Sequence, residues 1–570
     1  MSNDDNPKGL SRGLTNYGDK DFSLYLRRSF AKSMGYSDEM LDRPIVGIVN
    51  TASGYNNCHR GVPELVAAVK RGVLATGGLP IDFPTISLGE VYLNPTSLMF
   101  RNLMSMDTEE MIRAQPMDAV VLVGGCDKTV PAQLMGAASA DLPTIQLVTG
   151  PMMTGRYEDQ RLGACTDCRR FWAEFRAGRL NPGEIGKIEG NLATTMGTCA
   201  VMGTASTMAC IAETLGMTLP GTAAIPAVHA DRLRAAEATG KQALETARLG
   251  LTPSKLITEY SVENALRILL ALGGSTNGIL HLTALAGRLG INISLKRLNE
   301  LSDTTPVLVN LKPTGVGYME DFHSAGGMGA LLRELRPLLH LDCQTVTGET
   351  MRLRLQGSPD YVDRAIIRDL EEPFDPVGGL VALFGNLAPE GAILKRSAAD
   401  PTLFEHTGRA VVFESLEDLA DRIDSEELDV QADDILVLQN AGPKSHAGMP
   451  EAGYIPIPKK LAEAGVKDMV RISDCRMSGT AFGTIILHVT PEAAIGGVIG
   501  LIRTGDEISL SVSNKSLNLN VQSNVLSQRQ KNTELRQATP DRGYAWLYSK
   551  HVTQANQGAD FDFLMPPAST

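Results

Sequence analysis

The chain has few features suited to a membrane or to nucleic acid. No apolar run reaches the ~20 residues that a bilayer-spanning helix needs. Clustering of Lys and Arg goes no further than pairs such as Arg169-Arg170 and Lys459-Lys460, and the net charge is −12. That balance argues against polyphosphate and against anionic lipid surfaces as partners. The opening Met-Ser-Asn-Asp-Asp-Asn-Pro lacks both the basic and the apolar regions of a signal peptide, so a cytoplasmic protein is expected. No G-x-G-x-x-G follows a strand and no Walker loop occurs, which leaves nucleotide binding with little support. Internal repeats and low-complexity tracts are also missing. Eight cysteines are present, at 58, 126, 165, 168, 199, 210, 343 and 475. In a long chain without a leader they are read as thiols rather than a disulfide framework, unless some share a cluster.

What is there describes an ordinary globular chain: 570 residues, 43% hydrophobic and 21% charged. That length is too great for one core, so more than one domain is expected. From Arg43 onward strands alternate with helices. Pro44–Val49, Pro84–Leu88, Ala119–Val123 and Thr144–Val148 read as strands. Gly61–Ala75, Thr96–Met104, Glu109–Ala114 and Val130–Ala140 read as helices. Such alternation predicts a doubly wound parallel sheet with helices on both faces.

The stretch Gly124-Gly125-Cys126-Asp127-Lys128 is the centre of this reading. A purely apolar strand ends in two glycines, and a thiol, a carboxylate and an amine follow side by side. Open α/β sheets bind ligands at that edge. Right-handed crossovers bring the loops after the first three strands to one edge. Asn57-Cys58-His59, Glu90 and Cys126-Asp127-Lys128 should therefore converge.

Other segments stay open on spacing alone. Residues 150–190 read as irregular. Their Cys165-Thr166-Asp167-Cys168 is either structural or half of a metal site. Cys199 stands before an apolar helix, Ala200–Leu215, where a helix start would lower its pKa. Gly273-Gly274-Ser275-Thr276-Asn277 offers amides and hydroxyls either to an anionic group or merely to the helix that follows. A domain boundary is placed around 357–379, giving an α/β domain at 1–375 and a smaller β-barrel-like domain at 376–570. Two loops of the second domain carry Glu451 and Ser478. The tail holds Tyr544, Trp546, Tyr548, Phe561 and Phe563, and is expected to pack back on the body or on a partner.

Taken together, Asn57-Cys58-His59, Gly125-Cys126-Asp127-Lys128, Gly197-Thr198-Cys199, Gly273 to Asn277, Asn440-Ala441-Gly442-Pro443 with Gly448-Met449-Pro450-Glu451, and Arg476-Met477-Ser478-Gly479 resemble the dihydroxy-acid, phosphogluconate and sugar-acid dehydratases. The match runs in order over nearly the whole chain. The resemblance implies an iron–sulfur, Mg2+-dependent dehydratase. Cys58, Cys126 and Cys199 match the ligands of a 2Fe-2S cluster. Glu90, Asp127 and Glu451 match the Mg2+ carboxylates. Lys128 matches the lysine whose CO2-derived carbamate completes that site, and Ser478 matches the alkoxide base. His59, Ser275, Thr276 and Thr480 are candidate substrate contacts.

The resemblance further implies a homodimer or homotetramer acting on a sugar acid. The tail from Arg542 to Phe563 looks like the aldonic-acid branch. Two departures stand out: Cys475, where a small residue is usual, and Ser445-His446, where glycines are commoner. The rivals are a dihydroxy-acid dehydratase of branched-chain amino-acid synthesis, a cluster-bearing redox carrier, and a binding protein with zinc at Cys165 and Cys168.

Overall fold

The computed structural model describes residues 8–14, 17–357 and 361–566. Pro359, counted in the expected boundary, lies outside the described residues, as does the opening heptapeptide. Strands β1 (Ile45–Asn50), β2 (Leu79–Pro84), β3 (Ala119–Gly124) and β4 (Thr144–Val148) form a sheet in the order β2-β1-β3-β4, with every neighbouring pair parallel. All of β3 and β4 is buried, as the unbroken apolar run of β3 requires, and in β4 the buried Gln146 amide donates to Leu122 O (3.0 Å). Helices Val62–Ala75 and Ala230–Arg248 pack on each other and on these strands. Helix Ser97–Ala114 packs on Thr129–Ala140, which also touches β3 and β4.

Several elements lie elsewhere than the sequence suggests. The second strand is Leu79–Pro84, and Thr85–Gly89 is a loop. Pro80 and Pro84 are accommodated because β2 is an edge strand, where a missing N–H is tolerated. The two expected helices at 96–114 are one, Ser97–Ala114, continuous through the weak formers Ser105 and Thr108 because that turn packs on the neighbouring helix. Residues 150–190 are ordered. A hairpin of β5 (Gly155–Tyr157) and β6 (Gln160–Leu162) precedes helices Thr166–Arg176 and Pro182–Leu192, the second opened by an Asn181/Glu184 capping box.

The second half holds β7 (Val381–Leu383), β8 (Gly391–Leu394), β9 (Glu405–Phe413), β10 (Ile435–Leu438), β11 (Arg471–Ser473), β12 (Ile485–Thr490), β13 (Glu507–Ser511) and β14 (Ser516–Leu519), in the order β14-β13-β9-β10-β11-β12-β8-β7. Strands β9 to β12 run parallel and the other pairings are antiparallel. The two edges meet where Phe384 N donates to Lys515 O (2.9 Å) and Leu517 N donates to Phe384 O (2.8 Å), so the sheet is a nearly closed barrel. Alternation along the strands fills two layers. Ile435 and Val437 join the barrel interior, while Leu436 and Leu438 join an outer layer with Leu419 and Ile423.

The tail folds back. Tyr548, Val552 and Phe561 pack with Leu98 and Leu280 of the first half and Met449 of the second. Arg288 and Asp560, both fully buried, form a two-pronged ion pair there. Among the described residues no helix is long and apolar enough to cross a membrane.

Candidate active site

A cavity of about 1480 Å³ opens between the two halves and is lined from both. Its floor is the carboxyl edge of the parallel sheet. A single helical turn, Asn57–His59, follows β1; another, Glu90–Tyr92, follows β2; Cys126 to Lys128 follow β3. Cys199 arrives from a separate segment, held past β4 by Thr198 N to Gly150 O (2.9 Å) and Met152 N to Thr198 O (2.8 Å). The convergence expected of the first three loops is present, and Cys199 joins them.

The turn after β3 achieves its shape differently from the expectation. Neither Gly124 nor Gly125 has a positive φ; Cys126 does, at 70°. Gly125 is needed for room, because a Cβ there would stand 1.9 Å from Thr149 Oγ1. The left-handed conformation at Cys126 costs about 1–3 kcal/mol, held by the surrounding packing. His59 supplies part of that brace: Gly125 N donates to its Nε2 (2.9 Å), and its Nδ1 lies 2.9 Å from the Thr51 carbonyl. The ring is fully buried, which lowers its pKa, and it does not line the cavity.

Glu90, Asp127 and Glu451 present carboxylate oxygens within 4.8 Å of one another. Lys128, fully buried, sets its Nζ 3.0 Å from Glu90, 3.6 Å from Asp127 and 3.9 Å from Glu451. Arg476 enters from the barrel side, 2.6 Å from Glu451 and 3.3 Å from Glu90, and donates through Nε to Met449 O. Burial works against ionisation of Glu90, but Lys128 and Arg476 outweigh it and its pKa is lowered. Asp127 goes the other way, because burial pushes its carboxyl up. Three oxygen-donor side chains around one point form a set suited to a hard divalent cation.

Beside this set lie the thiols. Cys58, Cys126, Cys165, Cys168 and Cys199 all line the cavity. The Cys58 thiol is pushed up first by its hydrogen bond with Cys126 and then by burial. Cys199 departs from the expectation. The helix behind it starts at Thr204, so no helix N-terminus reaches its sulfur. A hydrogen bond with Cys165 favours its thiolate, yet burial and Asp127 prevail and its pKa is raised. Buried thiols of this kind lose their protons when a metal takes their place. The sequence reading left Cys165 at the margin, but its Sγ stands 3.2 Å from that of Cys199, presented by a residue with φ 81°. No sequence spacing could show that contact.

Ser478 faces the cavity from the loop after β11, with its Oγ 2.8 Å from Thr480 Oγ1. Asn277 Nδ2 donates to Met477 O (3.0 Å) and fixes this loop on the first half. Ser275 lies beneath it: its Oγ is 2.9 Å from Thr204 Oγ1, it caps the helix Thr276–Gly287, and a Cβ on Gly479 would stand 2.5 Å away. Ser275 and Thr276 are fully buried and, unlike Thr480, do not line the cavity. Cys475 is core, its thiol donating to Pro450 O, and Ser445 and His446 do not line the cavity. Two functional candidates were passed over in the sequence. Arg476 sat within a quoted motif without a role. Lys395 is a fully buried amine whose Nζ donates to Gly479 O (3.3 Å).

Fold and site together define a pocket at the carboxyl edge of a parallel sheet, with a candidate metal site of three carboxylates and a group of thiols beside it. Residues 43–354 match the N-terminal model of the dihydroxy-acid/6-phosphogluconate dehydratases, and residues 365–559 match the C-terminal one. The chain belongs to this dehydratase family. It is 44% identical over 530 residues to a 6-deoxy-6-sulfo-D-gluconate dehydratase of Pseudomonas putida, covering 92% of this chain and 91% of that protein. An L-arabinonate dehydratase of Rhizobium leguminosarum bv. trifolii is 43% identical over 551 residues, 96% of this chain and 95% of the other. A dihydroxy-acid dehydratase of Caldicellulosiruptor saccharolyticus is 37% identical over 549 residues, 95% and 98%.

Proposed function

We propose that the protein is a hydro-lyase that converts an aldonic acid to its 2-keto-3-deoxy acid. In this reading Cys58, Cys126 and Cys199 hold a 2Fe-2S cluster, and Glu90, Asp127, Glu451 and a carbamate on Lys128 hold Mg2+. The observation that carries it is the meeting, in one cavity, of a carboxylate trio, a group of thiols and a serine from the opposite wall. Both donor sets fit: carboxylate oxygens suit Mg2+, and thiolates suit an iron–sulfur centre. When bound, these groups supply Lewis acidity toward the departing C3 hydroxyl and the substrate carboxylate.

The rest falls to the protein. Ser478 Oγ, held by Thr480, takes the proton from C2, and it can do so only as an alkoxide beside positive charge. Arg476 anchors Glu451 and Glu90, so the two halves keep one spacing across the reacting atoms. Asn277 and Lys395 fix the backbone on either side of Ser478 through Met477 O and Gly479 O.

A sugar acid is preferred as substrate because the relatives named for sugar acids are the more similar, 43–44% against 37% for the dihydroxy-acid dehydratase. The test is ketone formation by anaerobically purified enzyme with arabinonate, xylonate, galactonate and gluconate against 2,3-dihydroxyisovalerate. Turnover of aldonates is expected, and activity on the branched acid alone overturns the reading. Iron and magnesium are expected on metal analysis; zinc at Cys165 and Cys168, or a fully ligated cluster that only cycles electrons, supports a rival.

A further inference from the structure

The cavity is chemically two-ended. Glu90, Asp127 and Glu451 make its inner end acidic. Its outer wall is basic, and the charges there are of two kinds. Arg170, Arg176 and Arg179 are matched by Asp167, Asp424 and Glu174. Arg60, Arg169 and Lys467 line the same cavity without a carboxylate partner among the described residues.

Arg169 is the one held in place. Its guanidinium lies over the ring of Tyr454, 5.0 Å from the centroid. Tyr454 is itself steadied by Arg471 at 5.2 Å and by Phe482 edge-on at 6.3 Å. Arg169 Nε is buried and has no hydrogen-bond partner among the described residues. The side chain thus bridges the two walls, one residue past Cys168 and stacked on a residue three past Glu451. Its guanidinium lines the cavity with no carboxylate partner among the described residues, which leaves its charge to an anionic ligand. The cavity also exceeds the ~300–1,000 Å³ usual for small ligands, so there is room beyond a short acid bound at the inner end.

We propose that Arg169 forms a distal subsite for a terminal oxyanion, and that the preferred substrate is a hexonate bearing a sulfonate or a phosphate ester at C6. This rests on the aldonate dehydratase reading above. A planar guanidinium meets such a group with paired, charge-assisted hydrogen bonds, whereas a terminal hydroxyl offers one neutral acceptor. Arg60 and Lys467, both exposed, add positive field at the mouth.

The experiment compares kcat/KM for 6-deoxy-6-sulfogluconate, 6-phosphogluconate, gluconate and arabinonate on the holoenzyme. At least one charged hexonate is expected to exceed gluconate by about tenfold or more, and the better of the two identifies the terminal group. Raising the salt concentration should shrink that preference. Arg169→Gln should cut the charged-to-neutral ratio by about tenfold to a hundredfold, and Arg169→Lys should restore part of it. Arg179→Gln, whose charge is already matched, should leave the ratio in place. If the glutamine variant does not fold, the salt dependence and the lysine variant decide. Equal use of gluconate and the charged acids, or a ratio indifferent to Arg169, overturns the subsite and leaves the dehydratase standing. No turnover of any aldonate overturns both.

Discussion

Lys395 stands just past β8 with its side chain fully buried, and among the described residues its Nζ hydrogen-bonds only to the carbonyl of Gly479. Burial lowers the amine from 10.5 to about 7. A difference of about 3.5 pH units corresponds to about 5 kcal/mol at 1.36 kcal/mol per unit. The folded value lies below the unfolded one, so between about pH 7 and about pH 10.5 the unfolded chain binds the extra proton. The contribution of Lys395 to stability therefore rises with pH across that window, by up to about 1.4 kcal/mol per unit, and is flat below it. Lys395→Met keeps most of the stem and removes the titrating group. Urea unfolding of both proteins should be followed from about pH 6 to about pH 9.5, taking wild type minus variant so that all other groups cancel. The variant should hold its largest advantage at the acid end and lose it as pH rises. A difference independent of pH, or one growing in the variant's favour with pH, would refute the argument from burial. Loss of the bond to Gly479, next to Ser478, should also lower kcat.

Three further outcomes follow from the same geometry. Ser478→Ala should reduce kcat by about 10²–10⁴ while iron and magnesium content stay unchanged, the range expected for loss of a positioned base. Cluster-free protein treated with glutathione disulfide should give a Cys165–Cys199 disulfide, two thiols giving up two protons and two electrons as the reagent is reduced to two glutathiones. Peptide mass spectrometry detects it, and Cys165→Ser removes it; failure to cross-link sulfurs 3.2 Å apart contradicts the placement. Asp560→Asn leaves Arg288 buried near Arg101 without its main counter-ion, at a cost of about 3–5 kcal/mol. Proteolysis should then release the tail, starting near the helix Gly543–His551.

How much was legible can be traced residue by residue. The strand ending at Gly124 was plain, because a run of apolar residues buried on both faces has few other uses. The loops at its sheet edge followed from handedness alone. Ser478 and Glu451 were joined to that edge only through the family resemblance, since they come from a barrel whose docking no local pattern encodes. Elements were misplaced where tertiary contact overrides propensity: β2 with its prolines, and the helix through Ser105 and Thr108. Substrate contacts fared worst. Ser275 and His59 look like site residues in the sequence because they lie near site loops, yet both support backbone from behind. Cys165 reaches the cavity and Arg476 reaches Glu90 and Glu451 through conformations, a positive φ and a long buried side chain, that spacing does not show.

Arg476 and Lys128 also bear on how the proposed metal and the proposed carbamate on Lys128 would depend on each other. The three carboxylates of Glu90, Asp127 and Glu451 face these two cations, one positive charge short of balance. A carbamate on Lys128 would exchange one of those cations for an anion among buried carboxylates, which is strongly unfavourable without a counter-charge. A divalent cation held by these carboxylates would supply it, and would in turn be repelled by the ammonium of unmodified Lys128. Each event should therefore favour the other, and linkage requires the effect to be reciprocal. Magnesium affinity measured by titration calorimetry should rise with added bicarbonate, and bicarbonate should have no effect in Lys128→Met. A magnesium affinity indifferent to bicarbonate in the wild-type protein would place the cation on the carboxylates alone and remove Lys128 from the ligand set.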